Sequence, residues 1–204
     1  MQEKTLSKVT AQTAGEICQY FELGDKARSL LNDDVTPRIF LDFLIECQQF
    51  TDAVRFLAHA LPKREAVWWA CLCAKVRCDD KKPAPVTATL HVAEQWVCDP
   101  NETNRRAALS IAESTGLNVP ASWAAMGAFW SGGSIAPPDA TVVPPGEYLT
   151  AIAVAGAVML AAVLHEPEKV SEQFMTFLTD GIGVANGTNE WPGFEQFEAT
   201  LSMV

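Results

Sequence analysis

Apolar positions recur at i, i+3, i+4 and i+7 along most of this chain, and no stretch of strict alternation is long enough to make a strand. The pattern predicts an all-α protein, a multi-helix bundle or a short array of helical hairpins. Thr36, an N-cap type, precedes Pro37 at a first-turn position, and Phe40, Phe43, Leu44 and Cys47 then share one face. Thr51 opens the next predicted helix, with Val54, Leu57, Ala58 and Leu61 inward, and Pro62 begins a third that carries Trp68, Cys71, Leu72, Lys75 and Val76. Connections this short predict antiparallel neighbours. A fourth helix runs from Pro85 to Cys98 on Val86, Leu90, Ala93 and Val97. Asp99 or Asn101 caps a fifth, through Ala108, Ile111 and Ala112, and Gly116 stops it. The sixth holds Ser122, Trp123, Met126 and Trp130 and ends at Ser131-Gly132-Gly133-Ser134.

The pattern then breaks. Residues 135–146 contain Pro137-Pro138 and Pro144-Pro145, which exclude helix and predict a stiff surface loop rather than a domain boundary. From Tyr148 to Leu164 the chain is uncharged. That length is at the bottom of what spans a bilayer, and its alanines and Gly156 offer little transfer energy, so the expectation is a core helix buried on all sides. Pro167 starts another helix, with Val170, Phe174, Phe177 and Leu178 inward, and Phe194, Phe197 and Leu201 outline a last amphipathic stretch. The expected organisation is one all-α domain over 1–204, with 1–8 and 186–204 less ordered and no repeat of fixed period.

Composition sharpens this. The chain has 204 residues, 49% of them hydrophobic and 20% charged, which excludes a mainly disordered protein. Its formal net charge is −10, and after Pro83 the only basic residues are Arg105, Arg106 and Lys169, so the whole excess lies in the second part. Nucleic acid and anionic membrane are therefore not expected partners. The start, Met1 to Glu16, is polar and lacks the apolar stretch of a signal peptide, so six cysteines predict reduced thiols in the cytoplasm. Cys71, Cys73, Cys78, His91 and Cys98 invite a zinc reading. On a helix, however, positions 71 and 73 diverge by about 200° and no C-x-x-C pair exists, so neither metal nor cofactor is expected.

No catalytic signature appears: there is no nucleophile elbow, H-E-x-x-H, Walker A or dinucleotide glycine pattern, and only His59, His91 and His165 could serve as bases. Two groups stand out as candidate binding residues. Lys63 and Arg64 place positive charge at a helix N-terminus, against its dipole, beside Trp68 and Trp69. An acidic contact with aromatic support is one reading, and an ion pair to nearby acids with the indoles in the core is the other. Either way, one of two adjacent tryptophans should lie toward the rim, and reversing both charges should leave stability nearly unchanged. The second group is Trp130 with Ser131, Gly132, Gly133 and Ser134, an anion-binding nest of backbone N–H groups or simply a glycine stop.

The words Phe56-Leu-Ala-His-Ala-Leu-Pro-Lys-Arg-Glu-Ala-Val-Trp-Trp-Ala-Cys71, Ser131-Gly-Gly-Ser-Ile-Ala-Pro-Pro138 and Ala153-Val-Ala-Gly-Ala-Val-Met-Leu-Ala-Ala162 resemble an uncharacterised bacterial family of about this length, over residues 35–180. The resemblance implies a setting beside secretion genes, including type VI systems, and carries no catalytic residue. The expected function is a non-enzymatic cytoplasmic adaptor that binds another protein. An enzyme with an unfamiliar site, or a helical module for a small ligand, is the alternative.

Overall fold

A computed structural model describes residues 6–76, 84–164 and 166–192. Among them the chain forms ten α-helices, a single 3-10 turn and no strand, so the protein is all-α. The helices are α1 (Ala14–Cys18), α2 (Asp25–Leu30), α3 (Pro37–Glu46), α4 (Phe50–Ala60), α5 (Lys63–Lys75), α6 (Ala84–Cys98), α7 (Glu102–Thr115), α8 (Pro120–Phe129), α9 (Leu149–Val163) and α10 (Val170–Ala185).

Local signals set several boundaries as expected. The Thr36 hydroxyl accepts the Ile39 N–H at 3.4 Å with Pro37 in the first turn, and Asn101 Oδ1 accepts the Asn104 N–H at 2.9 Å. Gly116, at φ 85°, ends α7 by turning its N–H onto the Ala112 carbonyl. Other details differ from the periodic pattern. Phe43 is exposed, and Leu41 takes its place beside Phe40 and Leu44 in the core. Gln49, not a residue at the threonine, precedes the first turn of α4, and Lys75 and Val76 face solvent at the end of α5. Leu61 is extended, because a residue before proline is pushed out of the helical region, and Pro62, at ψ 148°, continues the extended path. The chain therefore turns a corner there instead of closing a hairpin. From the corner α4 packs on α3, α9 and α10, while α5 packs on α6, α8, α9 and α10.

The centre of the molecule is α8. Every residue of it except Trp123 is buried, and α5, α6, α7 and α9 all lie against it. Ala121, Ala124, Ala125, Gly127 and Ala128 keep its surface low enough for four neighbours; a β-carbon on Gly127 would stand 3.3 Å from Val67 and 3.5 Å from Val154. That corrects the expectation for 148–164. α9 buries nine of its fifteen residues, but Ile152 and Val163 are exposed, as is Tyr148 at its start, so it covers the core from one side. Among the described residues no helix is long and apolar enough to cross a membrane.

One continuous core runs from Leu6 to Ala185. The described parts of both end segments are tied down: the Lys8 N–H donates to the Ala185 carbonyl at 2.9 Å, and Trp191 lies under the Arg64 guanidinium at 4.4 Å. Residues 1–5 and 193–204, with the amphipathic stretch expected there, lie outside the described residues, as do Cys78 and His165.

Candidate functional site

The corner at Leu61–Pro62 starts α5 with two cations, and both reach the ends of other helices. Lys63 Nζ donates to the Ser131 carbonyl at 3.1 Å, just beyond α8. Arg64 donates from Nε to the Val97 carbonyl at 2.6 Å and from Nη2 to the Cys98 carbonyl at 3.0 Å, at the end of α6. Helix C-termini carry unpaired carbonyls and partial negative charge, so each cation is misplaced for its own helix and well placed for a neighbour. Within the chain the offset is supplied by these carbonyls rather than by a carboxylate. Reversing both charges would put carboxylates against these carbonyls, and the expectation that stability stays unchanged no longer follows.

Trp68 and Trp69 are both buried, which removes the expected rim position. Trp68 Nε1 donates to the Asn189 carbonyl at 3.1 Å and Trp69 Nε1 to the Phe177 carbonyl at 2.7 Å. The rings diverge as helix geometry requires, but α5 has partners on both flanks, so both are buried.

At the second group the chain leaves α8 through Trp130 and turns at Gly133, whose φ is 64°. Arg105 fills the space beneath it. A β-carbon on Gly133 would lie 2.9 Å from that guanidinium, so glycine is required by backbone conformation and by space together. Arg105 is 4% exposed; it grips Glu102 through two oxygens at 2.6 and 2.7 Å and donates to the Phe129 and Ser134 carbonyls at 2.6 and 2.9 Å. Arg106 donates to Glu102 at 2.9 Å and to the Ala136 carbonyl at 2.8 Å. Ser134 Oγ in turn accepts the N–H groups of Ala136 and Val143, and the Ile135 N–H meets the Val143 carbonyl at 2.8 Å, closing the proline-rich loop at its base. The segment directs carbonyls at cations, the opposite polarity to an anion nest. Under this pair of arginines the Glu102 carboxyl is driven down to about 2, chiefly by its hydrogen bonds to Arg105. Periodicity did not single out Arg105. Its signal was rarity, as one of three basic residues after Pro83.

The corner also opens on a cleft of about 560 Å³, walled by α1 and its flanks, the α4–α5 corner and the start of α9. Of the sequence candidates, only Lys63 lines it. Its floor is apolar, with Ala58, Leu61, Ala66 and Ala151; its rim carries Tyr20 and Tyr148, each 49% exposed, and the carboxylates of Glu16 and Glu147. His59 forms part of the wall. Its Nδ1 lies 2.8 Å from the Arg55 carbonyl, an acceptor, so Nδ1 bears the proton; its ring stacks on Phe21 at 4.9 Å. Burial, with the Arg55 charge, holds the imidazole below its ordinary value and leaves it neutral at pH 7. Its Nε2 is thus an acceptor, buried and without a hydrogen-bond partner among the described residues.

Burial raises the Cys71 thiol far above its ordinary value and pushes Cys18 up to about 12, so both stay protonated. Among the described residues, no three of His, Cys, Asp and Glu gather as metal ligands would.

Comparison with curated proteins and with solved structures finds no match. A family model does match, over residues 40–185: this chain, with its arginine-anchored loop and its buried tryptophan pair, belongs to the family of unknown function DUF6931.

Proposed function

We propose that this protein is a non-enzymatic cytoplasmic adaptor that binds a segment of another protein in the cleft at the α4–α5 corner. The observation that carries the reading is the pairing of an apolar floor with two half-exposed tyrosines on the rim. Tyrosine offers large contact area at small entropic cost and is enriched where proteins meet. Free thiols at Cys18, Cys47, Cys71 and Cys98 support a reducing compartment. The resemblance to proteins encoded beside secretion genes supports a bacterial secretion apparatus, of the type VI kind, as the setting. The volume of the cleft, within the range for small-molecule pockets, favours a small-ligand module as the second reading.

A photo-crosslinking residue at Tyr148, tested in the native cell against the same residue at the exposed Met175 of α10, separates the two. An adaptor gives one abundant crosslinked protein from position 148 and none in common with 175. No crosslinked protein from 148, together with a bound small molecule in native mass spectrometry, would replace the adaptor by the ligand module.

A further inference from the structure

We propose that the cleft recognises an arginine side chain of the partner polypeptide, through the rings of Tyr20 and Tyr148 and the carboxylates of Glu16 and Glu147. This rests on the adaptor reading and names the chemistry of its partner.

Among the described residues, the carboxylates of Glu16 and Glu147 are the charged acceptors of the cleft with bonding left over, while the hydroxyls of Tyr20 and Tyr148 can donate or accept. Glu147 is exposed on the rim, and Glu16 has one oxygen on the Gln12 N–H at 3.2 Å and its second oxygen available. His59, in the cleft wall, holds its proton on Nδ1 toward the Arg55 carbonyl, and its Nε2 is buried with no hydrogen-bond partner among the described residues. Among the described residues the cation in the lining is Lys63, and its ammonium is turned onto the Ser131 carbonyl. Two carboxylates against one lysine leave the cleft negative, in a chain of net charge −10. The charge of the cleft favours a ligand that brings donors and positive charge.

Three features select a guanidinium among such ligands. It is planar and weakly hydrated, so it lies on aromatic faces such as the two exposed tyrosines, where an ammonium keeps its water. It brings five donors in a fixed fork, enough for carboxylates on two walls. Its three-methylene stem suits a floor of alanine and leucine. A bare metal ion has no matching set of ligands among the described residues.

The test uses the full-length protein with methyl-labelled alanine, read at Ala58 and Ala151 by NMR. The probe is the blocked tripeptide glycyl-arginyl-glycine, with its citrulline and glutamate counterparts as controls; citrulline keeps the shape and loses the charge. We expect saturable shifts at both methyls with the arginine peptide, at least tenfold weaker binding of citrulline and none of glutamate. Glu147→Gln, an isosteric change at an exposed position, should weaken arginine binding at least threefold without moving the melting temperature. Lys63→Met should strengthen it. Equal binding of citrulline, or no saturable shift, overturns the inference. A crosslinked protein at Tyr148 alongside that negative result leaves the adaptor reading standing. Arginine preference with no crosslinked polypeptide overturns both and assigns the cleft to a free guanidinium compound.

Discussion

At Gly181 the backbone of α10 lies so close to α5 and α4 that a β-carbon would stand 2.6 Å from Trp69 Cε2 and 2.7 Å from Leu57 Cδ2. That approach is what lets the Trp69 indole reach the Phe177 carbonyl one turn earlier. Gly181→Ala should therefore cost about 1–3 kcal/mol through overpacking, seen as a lower urea midpoint. Gly132→Ala is the matched control. It has no atom within 4 Å of the new carbon and no positive φ, so its midpoint should stay level or rise, by up to about 1 kcal/mol. Equal midpoints for the two variants would show that α10 can shift away from Trp69 freely. The two tryptophans were visible in the sequence, and their divergence followed from helix geometry. That both are buried was not visible, because it depends on acceptors at Asn189 and Phe177, more than a hundred residues away.

Among elements, the N-terminus of α5 contradicts its own dipole to serve two others. Charged hydrogen bonds of this kind contribute about 1.5–3 kcal/mol each, against about 0.3–1 kcal/mol for the unfavourable dipole, so the neighbouring helices win. The double reversal Lys63→Glu with Arg64→Glu should lower the melting temperature by several degrees. An unchanged melt would mean that solvent satisfies the ends of α6 and α8 equally well. Most helix boundaries were legible locally, from Thr36, Pro62, Asn101 and Gly116. The order of packing was not. Both α8 and α9 are almost devoid of polar residues, and a helix without a polar face does not reveal which side meets which neighbour. Nothing in the periodic pattern distinguished the helix buried on nearly every side from the one left partly in solvent. The cleft was hidden for a related reason: it is assembled from three stretches around residues 16, 60 and 148, and of its lining the sequence drew attention only to Lys63 as a binding residue and His59 as a possible base.

For the molecule as a whole, acid should act through groups whose protonation the fold resists. Glu102 is held down to about 2 in the fold, so its contribution to stability is complete above the ordinary value of 4.5 and disappears as pH falls from there toward about 2. His59, also depressed, contributes fully above its ordinary 6.5 and loses that contribution as pH falls below it. Glu94 opposes both. Burial raises it, so the fold favours its proton, and that stabilisation is present in acid and lost as pH rises. Glu102 is 60% exposed, and solvent screening keeps the effect modest. In melts taken between about pH 5 and pH 2.5, Glu102→Gln should lose less stability than the parent, because glutamine has no proton to gain. Parallel curves would remove Glu102 from the acid response.

The dependence of α5 on α10 also sets an order of events during translation. The acceptors for both indoles, at Phe177 and Asn189, are made more than a hundred codons after the tryptophans themselves. Until they emerge from the ribosome, Trp69 and Leu57 present an uncovered apolar face, and the two N–H groups have only water. The nascent chain must carry that surface through most of its synthesis, which makes α5 the natural place for a chaperone to hold it and the first place for aggregation when elongation stalls before α10.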